Sequence, residues 1–359
     1  MQVNLHVAQV RSGLERVSPF LPGLEILRGS HILITGATGF FGKWLLALVD
    51  LLNEGGAQIR VTAVSRSPEA FLDKEPYYRD SDWLRWIKSD TCELKPLSEH
   101  FDYLLHAATE TSAAAHQDPL ALFDSMLEGA RNVLEVAVNC GVKRVMLTGS
   151  GAQYGALPSG MECFPDDTSL SCDSTSPGSA YGEAKRAQET LAALYARRHG
   201  IEVVFTRCFA FVGPGLPLDG HFAVGNFIRD ALWHGRLALN SRGEALRSYL
   251  YAADLAVWLL GILAVGQSGQ AYNVGSDEAL SIAQLAIRVG GWLSPDKPVL
   301  IADAPASGPR SVYVPSITKA RVLGLDVWTD LENAVKETAK WADTSGSGAR
   351  NEMSGIEDK

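Results

Sequence analysis

A short apolar run, His31-Ile32-Leu33-Ile34-Thr35, breaks into Gly36-Ala37-Thr38-Gly39-Phe40-Phe41-Gly42 and continues as an amphipathic stretch over residues 43–53. That order reads as strand, tight turn, helix. Glycines at these positions let the backbone turn sharply, let a ligand approach the main chain and let the helix pack close on the strand. The first N–H groups of such a helix point outward, where they suit a phosphate. Gly36, Thr38, Gly39, Phe40, Phe41 and Gly42 are therefore candidate cofactor-binding residues for a dinucleotide pyrophosphate.

The same alternation continues downstream. Gln58-Ile59-Arg60-Val61-Thr62-Ala63-Val64 reads as a second strand, and Tyr103-Leu104-Leu105-His106-Ala107-Ala108 as another after a variable region. A helix over 123–140, stopped by Gly141, precedes a strand over 144–148, and a helix over 180–199 precedes a strand over 202–206. Strands alternating with helices of this length imply right-handed crossovers and an α/β fold, a Rossmann-type doubly wound parallel sheet. From Gly213 onward the pattern loosens into a smaller C-terminal substrate-binding lobe. The expected division is a leader over 1–28, a dinucleotide-binding unit over 29–212 and a lobe over 213–342, some of whose segments return to the sheet. A tail over 343–359, rich in Ser, Gly and charge, is expected to be disordered.

With 46% hydrophobic and 20% charged residues in 359, the chain can bury a large core. A net charge of −9 gives no global electrostatic case for nucleic acid or an anionic membrane. The five cysteines, odd in number and without paired CxxC spacing, suggest neither a zinc site nor a disulfide framework and point to a reduced, cytoplasmic protein. The N-terminus lacks the continuous apolar core of a signal peptide. The longest apolar run, 255–265, falls short of the roughly 20 residues that span a bilayer and reads as a buried helix.

Chemistry enters at the ends of the strands. Where a carboxylate would hold the ribose hydroxyls of NAD, this chain reads Val64-Ser65-Arg66-Ser67. A guanidinium pairs with phosphate oxygens that a carboxylate would repel, so Ser65 and Arg66 favour NADP(H) over NAD(H). Ala107, Ala108 and Thr109, at the end of their strand, complete the cofactor set. Tyr181 and Lys185 lie four apart on a predicted helix and share a face. A nearby ammonium favours tyrosinate, which makes Tyr181 a candidate general acid or base, with Lys185 also able to hold a nicotinamide ribose. Ser150 follows the strand over 144–148, at the carboxyl end where open sheets bind their ligands, and can hydrogen-bond a reacting oxygen.

The combination of GxxGxxG, Ser150 four residues before Tyr154-Gly155, and the YxxxK of Tyr181 and Lys185 resembles the extended short-chain dehydrogenase/reductase family, in its nucleotide-sugar epimerase and dehydratase branch. The resemblance spans about residues 29 to 340. It includes Asn132, the segment Arg207-Cys208-Phe209 through Gly213-Pro214, Arg247-Ser248-Tyr249 leading to Tyr251 and Asp254, and Tyr272-Asn273-Val274-Gly275. It implies hydride and proton transfer at C4 of a nucleotide-linked hexose, as a 4-ketoreductase or a 4-epimerase. Asn226 and Arg247 become candidates for the substrate's diphosphate, with Arg310 adding a second charge.

This chain also departs from that pattern. Gln153 stands where the family's motif has Val, and Ala210 where Asn is common. Gly151 and Ala152, substrate-facing positions, replace the two carboxylates that carry out elimination in the 4,6-dehydratases. A glycine and an alanine have no side chain that can move a proton, so dehydration would need a displaced carboxylate such as Glu110 or Asp166. A non-catalytic dinucleotide-binding redox sensor is the alternative of another class, but a sensor needs none of Ser150, Tyr181 and Lys185. The resemblance further implies a homodimer through a four-helix bundle formed by the helices over 123–140 and 180–199.

Overall fold

The computed structural model describes residues 5–109, 117–220, 222–304 and 311–345. Helix α1 (Leu5–Val17) and the short α2 (Leu24–Leu27) precede β1 (His31–Thr35), α3 (Phe40–Glu54), β2 (Arg60–Ser65), α4 (Pro68–Lys74) and β3 (Leu84–Lys88). Then come β4 (Tyr103–His106), α5 (Pro119–Asn139), β5 (Arg144–Ser150), α6 (Ala180–His199) and β6 (Glu202–Cys208). The remainder holds β7 (Phe211–Val212), α7 (Ala223–Trp233), β8 (Leu237–Leu239), β9 (Leu246–Arg247), β10 (Leu250–Tyr251), α8 (Ala252–Val265) and β11 (Ala271–Val274). It ends with β12 (Leu280–Ser281), α9 (Ile282–Leu293), β13 (Val299–Ile301), β14 (Val312–Tyr313), α10 (Thr318–Val322) and α11 (Leu331–Ser345).

Seven strands form one sheet in the order β11-β6-β5-β4-β1-β2-β3, every pair parallel. Alternate residues serve opposite faces, so the inner strands carry apolar residues toward both. Ile32, Ile34, Leu105, Met146 and Val204 join the core under α3 and α8, while Leu33, Leu104, Val145, Leu147 and Val203 join the one under α5 and α6. Because β1 pairs with β2 on one side and β4 on the other, the strand order reverses beyond its carboxyl end. That reversal opens a crevice at the point where doubly wound sheets bind ligands.

The apolar run over 255–265 is indeed a buried helix: residues 252 to 264 of α8 are all buried. Such a helix has no polar face to show to water. The N-terminal leader is built into this layer, since Leu14 and Leu27 have no exposure and α1 packs on α3, α8 and α11. At the other end α11 runs to Ser345, into the stretch read as a tail, and 346–359 lie outside the described residues. The sequence reading missed β3, an edge strand whose Arg85 and Lys88 break the apolar pattern. It also did not read Ala271–Val274 as a strand, yet β11 returns from the C-terminal part to pair with β6.

Candidate active site

The turn between β1 and α3 is pressed against the end of β4. Gly36 has φ +76°, and a Cβ there would lie 2.7 Å from the main chain of Ala107 and Ala108. A Cβ on Gly42 would come within 2.4 Å of the main chain of Ala37, so α3 could not start this close to the strand with any other residue. Gly39 is the N-cap of α3 and brings no capping side chain, and the first turn carries no acidic residue to repel an anion. Phe40 and Phe41 are half-buried, the latter edge-on to Phe211 at 5.1 Å between ring centroids. This crevice fits a dinucleotide pyrophosphate.

Its far wall is tied together by hydroxyls. Thr35 Oγ1 lies 2.8 Å from His106 Nδ1 and accepts the Ala108 N–H at 3.3 Å. Burial, with Lys185 nearby, pushes His106 down to about 3, so it is neutral and serves as a brace between β1 and β4. Thr38 Oγ1 stands 3.4 Å from Ser65 Oγ at the end of β2, and Arg66 beside it is exposed. No acidic side chain stands at 65 or 66.

Ser150 is the last residue of β5 and is buried. Its N–H donates to Gln153 Oε1 at 2.8 Å, and its Oγ accepts the Ala152 N–H at 3.2 Å. This reciprocal capping fixes the following 3₁₀ turn, Gly151–Tyr154. Gln153, 1% exposed, thus does a job that the family's Val could not. A Cβ on Gly149 would collide with Gln153 Oε1 at 2.3 Å, so the glycine makes room for the amide.

Tyr181 and Lys185 both lie in α6, as their spacing predicts. The Lys185 ammonium is 3% exposed and donates to Thr109 Oγ1 at 2.7 Å and to the Thr148 carbonyl at 2.8 Å. Burial pulls it down to about 8. Tyr181 is driven the other way from the sequence expectation: burial pushes its phenol up to about 12, against a hydrogen bond from Ser150 that favours ionisation. The ammonium is directed at Thr109 and Thr148, so desolvation outweighs the lowering that a Lys beside a Tyr suggests.

Beside Ser150 stand residues that the motifs did not announce. Tyr313, from β14, places its Oη 3.4 Å from Ser150 Oγ and donates to the Cys208 carbonyl at 3.3 Å. Its ring packs on Phe209 at 4.7 Å. A Cβ on Gly151 would lie 2.8 Å from the Phe209 ring and 2.9 Å from Tyr313 Oη, so the place of the first eliminating carboxylate is sterically filled. Only the tyrosine itself signals this in the sequence, since β14 is two residues long and lies in no periodic pattern.

Arg247 pairs with Tyr313 across the β9–β14 ladder, its guanidinium 5.9 Å from the ring centroid. In this state it donates to the Leu246 and Ser311 carbonyls at 2.7 and 3.2 Å. Asn226 sits in the first turn of α7, its Oδ1 accepting from Arg229 at 3.4 Å. Arg310 and Glu110 lie outside the described residues. Asp166 is held in place, accepting the N–H groups of Asn273 and Lys319 and the Ser316 hydroxyl at 3.1 to 3.3 Å. Asn132 is structural, its amide donating to the Thr91 and Leu94 carbonyls.

Residues 32–275, from β1 through the strand that closes the sheet, match the NAD dependent epimerase/dehydratase family. The chain belongs to that family. Among its curated members, UDP-glucuronic acid decarboxylase 6 of Arabidopsis thaliana is 29% identical over 306 residues, covering 82% of this chain and 83% of the relative. UDP-N-acetylglucosamine 4-epimerase from Methanobrevibacter ruminantium M1, solved with UDP-N-acetylmuramic acid, superposes with a TM-score of 0.75 at 20% identity, over 89% of this chain and 99% of the other. dTDP-glucose 4,6-dehydratase from Streptomyces venezuelae, solved with NAD, gives 0.72 at 22%, over 88% and 98%. At these identities the two structures speak to the fold. The epimerase/dehydratase architecture is therefore shared.

Proposed function

We propose that this member of the family is a nicotinamide-dependent enzyme acting at C4 of a nucleotide-linked hexose, as a 4-ketoreductase or a 4-epimerase. The observation that carries the reading is the gathering of Ser150, Tyr181 and Lys185 beside the glycine crevice, with no carboxylate at 151 or 152 and no room for one at 151. The coenzyme, when bound, supplies the hydride acceptor or donor. Gly36, Gly39 and Gly42 hold its pyrophosphate, and Lys185 with Thr109 faces its ribose. Tyr181 moves the proton at the sugar oxygen and Ser150 hydrogen-bonds that oxygen. With its phenol at about 12, Tyr181 is protonated at neutral pH and stands ready as an acid, which favours ketone reduction. Ser65 and Arg66 favour NADP(H), although the Streptomyces dehydratase carries NAD.

A homodimer through α5 and α6 belongs to the same reading. These helices pack on each other, and Leu120 on α5 and Leu194 on α6, 71% and 59% exposed, are apolar side chains that a second copy would cover.

The Arabidopsis relative favours one further possibility, decarboxylation of a nucleotide hexuronate. Oxidation at C4 places a ketone β to the C6 carboxylate, and carbon dioxide can then leave without the missing acids. Mass spectrometry separates these outcomes after incubation with UDP-, dTDP-, GDP- and CDP-hexoses, their 4-keto-6-deoxy derivatives and UDP-glucuronate, with NADPH or NADH. A gain of two hydrogens with coenzyme oxidation identifies a reductase, and isomerisation at constant mass an epimerase. Loss of carbon dioxide identifies a decarboxylase. Loss of water would contradict the proposal.

A further inference from the structure

Tyr313 reaches Ser150 from β14, a strand distant in sequence from α6. Its Oη lies 3.3 Å from the Cys208 carbonyl oxygen and 3.4 Å from Ser150 Oγ. A carbonyl only accepts, so the single phenolic proton of Tyr313 goes to Cys208 and its lone pairs face Ser150. Ser150 Oγ already accepts the Ala152 N–H at 3.2 Å and has one proton to give. Two phenols can receive it, Tyr313 and Tyr181, each hydrogen-bonded with Ser150. One proton cannot serve both fully.

The fold provides for this second phenol. Gly151 leaves open the space that Tyr313 Oη fills, where a Cβ would be 2.9 Å away. Phe209 supports the ring from one side, and Arg247 stands opposite it in the strand ladder. Phe164 closes the cluster edge-on at 6.5 Å. The hydroxyl is thereby fixed above Ser150 rather than left free in the cleft.

We propose that Tyr313 is a positioning residue that holds the Ser150 hydroxyl proton away from Tyr181 until a substrate oxygen displaces it. In the resting site the chain runs from Ser150 to Tyr313 to the Cys208 carbonyl, and no charge moves. An entering sugar oxygen takes the place of Tyr313 as the partner of Ser150, and the proton is then directed at the atom where Tyr181 acts. The inference rests on the reading that Ser150 and Tyr181 serve the reacting oxygen. Among the described residues, the titratable groups around the pair include Lys185 on α6, Cys208 on β6, Cys172 packed on Ala152 and Gly182, and Arg247 and Tyr313 from β9 and β14, with Glu189 on α6 and His106 on β4 beside Lys185. From α5 the apolar side chains of Leu122, Phe123 and Met126 pack in one cluster with Tyr181.

The test is the ionisation of Tyr181 in the NADP⁺-loaded enzyme, by rapid pH jumps read at 295 nm with the Tyr181→Phe trace subtracted. Tyr313→Phe keeps the packed ring and removes only Oη. The Ser150 proton then goes to Tyr181 alone, and its midpoint should fall by about one pH unit, a tenfold rise in phenolate at a given pH. In a Ser150→Ala background the same substitution should do nothing. An unchanged or raised midpoint in Tyr313→Phe overturns the proposal, as does a shift that survives in Ser150→Ala. No sugar is needed, so silence of the wild type toward every nucleotide sugar would remove the proposed reaction while this comparison still decides the role of Tyr313.

Discussion

Lys185 and Thr148 are joined side chain to main chain: the ammonium donates to the carbonyl of β5 at 2.8 Å, two residues before Ser150. This bond pins the helix that carries Tyr181 to the strand that carries Ser150. It also keeps a cation 3% exposed, which sets its titration apart from that of an ordinary lysine.

That displacement gives a pH signature. The Lys185 pKa falls from 10.5 to about 8 on folding, so between those values the unfolded chain holds a proton that the folded protein lacks. Stability contributed by this group therefore rises with pH through that window, by up to about 3 kcal/mol. Lys185→Met should lack the rise, seen by comparing denaturant midpoints of the two proteins at pH 7.5 and 10. Its turnover should drop by about 10²- to 10⁴-fold. Parallel stability curves for both proteins would show that the ammonium is not desolvated.

Tyr181→Phe should lower kcat by about 10²- to 10⁴-fold with cofactor affinity retained, because the phenol moves a proton without holding the pyrophosphate. With its ionisation near 12, Tyr181 gives wild-type ketone reduction no pH dependence from pH 5 to 7, below the loss of the Lys185 proton at about 8. Steady-state rates across that range check both statements. A steep fall between pH 5 and 7 would place another acid in the role.

Gly151→Ala tests the packing over the site. Its new Cβ would meet the Phe209 ring at 2.8 Å and Tyr313 Oη at 2.9 Å. Overpacking of this kind costs about 1–3 kcal/mol, so the melting temperature should fall. Gly151→Glu should lose activity without gaining loss of water. A stable Gly151→Ala protein of full activity would mean that Tyr313 swings aside freely.

Arg66→Asp should reverse coenzyme choice. If Arg66 pairs with a 2′-phosphate as proposed, replacing the cation by an anion removes a charge-assisted bond worth about 1.5–3 kcal/mol and adds repulsion. The ratio of kcat/KM for NADPH over NADH should therefore drop by more than about tenfold. An unchanged ratio would make Arg66 a surface charge with no part in recognition.

The parts legible in the sequence were those whose signal is local. The run from β1 through Gly42 into α3, and the full length of α6, are written in consecutive residues, because a turn of this closeness admits only glycine and a surface helix shows its period. β3 was not legible because an edge strand with charged residues lacks the apolar run of its neighbours. Tyr313 was hidden for a different reason. It is 163 residues from Ser150, and only the pairing of β14 with β9 brings it over the site. The pKa of Tyr181 was misread from spacing, since a shared helix face says nothing of which acceptors Lys185 finds in β5 and after β4.

A nucleotide hexose carrying deuterium at C4 tests the central claim most directly, by mass spectrometry of sugar and coenzyme after incubation with NADP⁺ and either the wild type or Tyr181→Phe. The account predicts that the wild type moves the deuterium from C4 to the coenzyme, or returns it to C4 of the epimer, and that Tyr181→Phe does neither at a comparable rate. Conversion of a nucleotide hexose by the wild type with no deuterium on the coenzyme and no C4 epimer formed would contradict it.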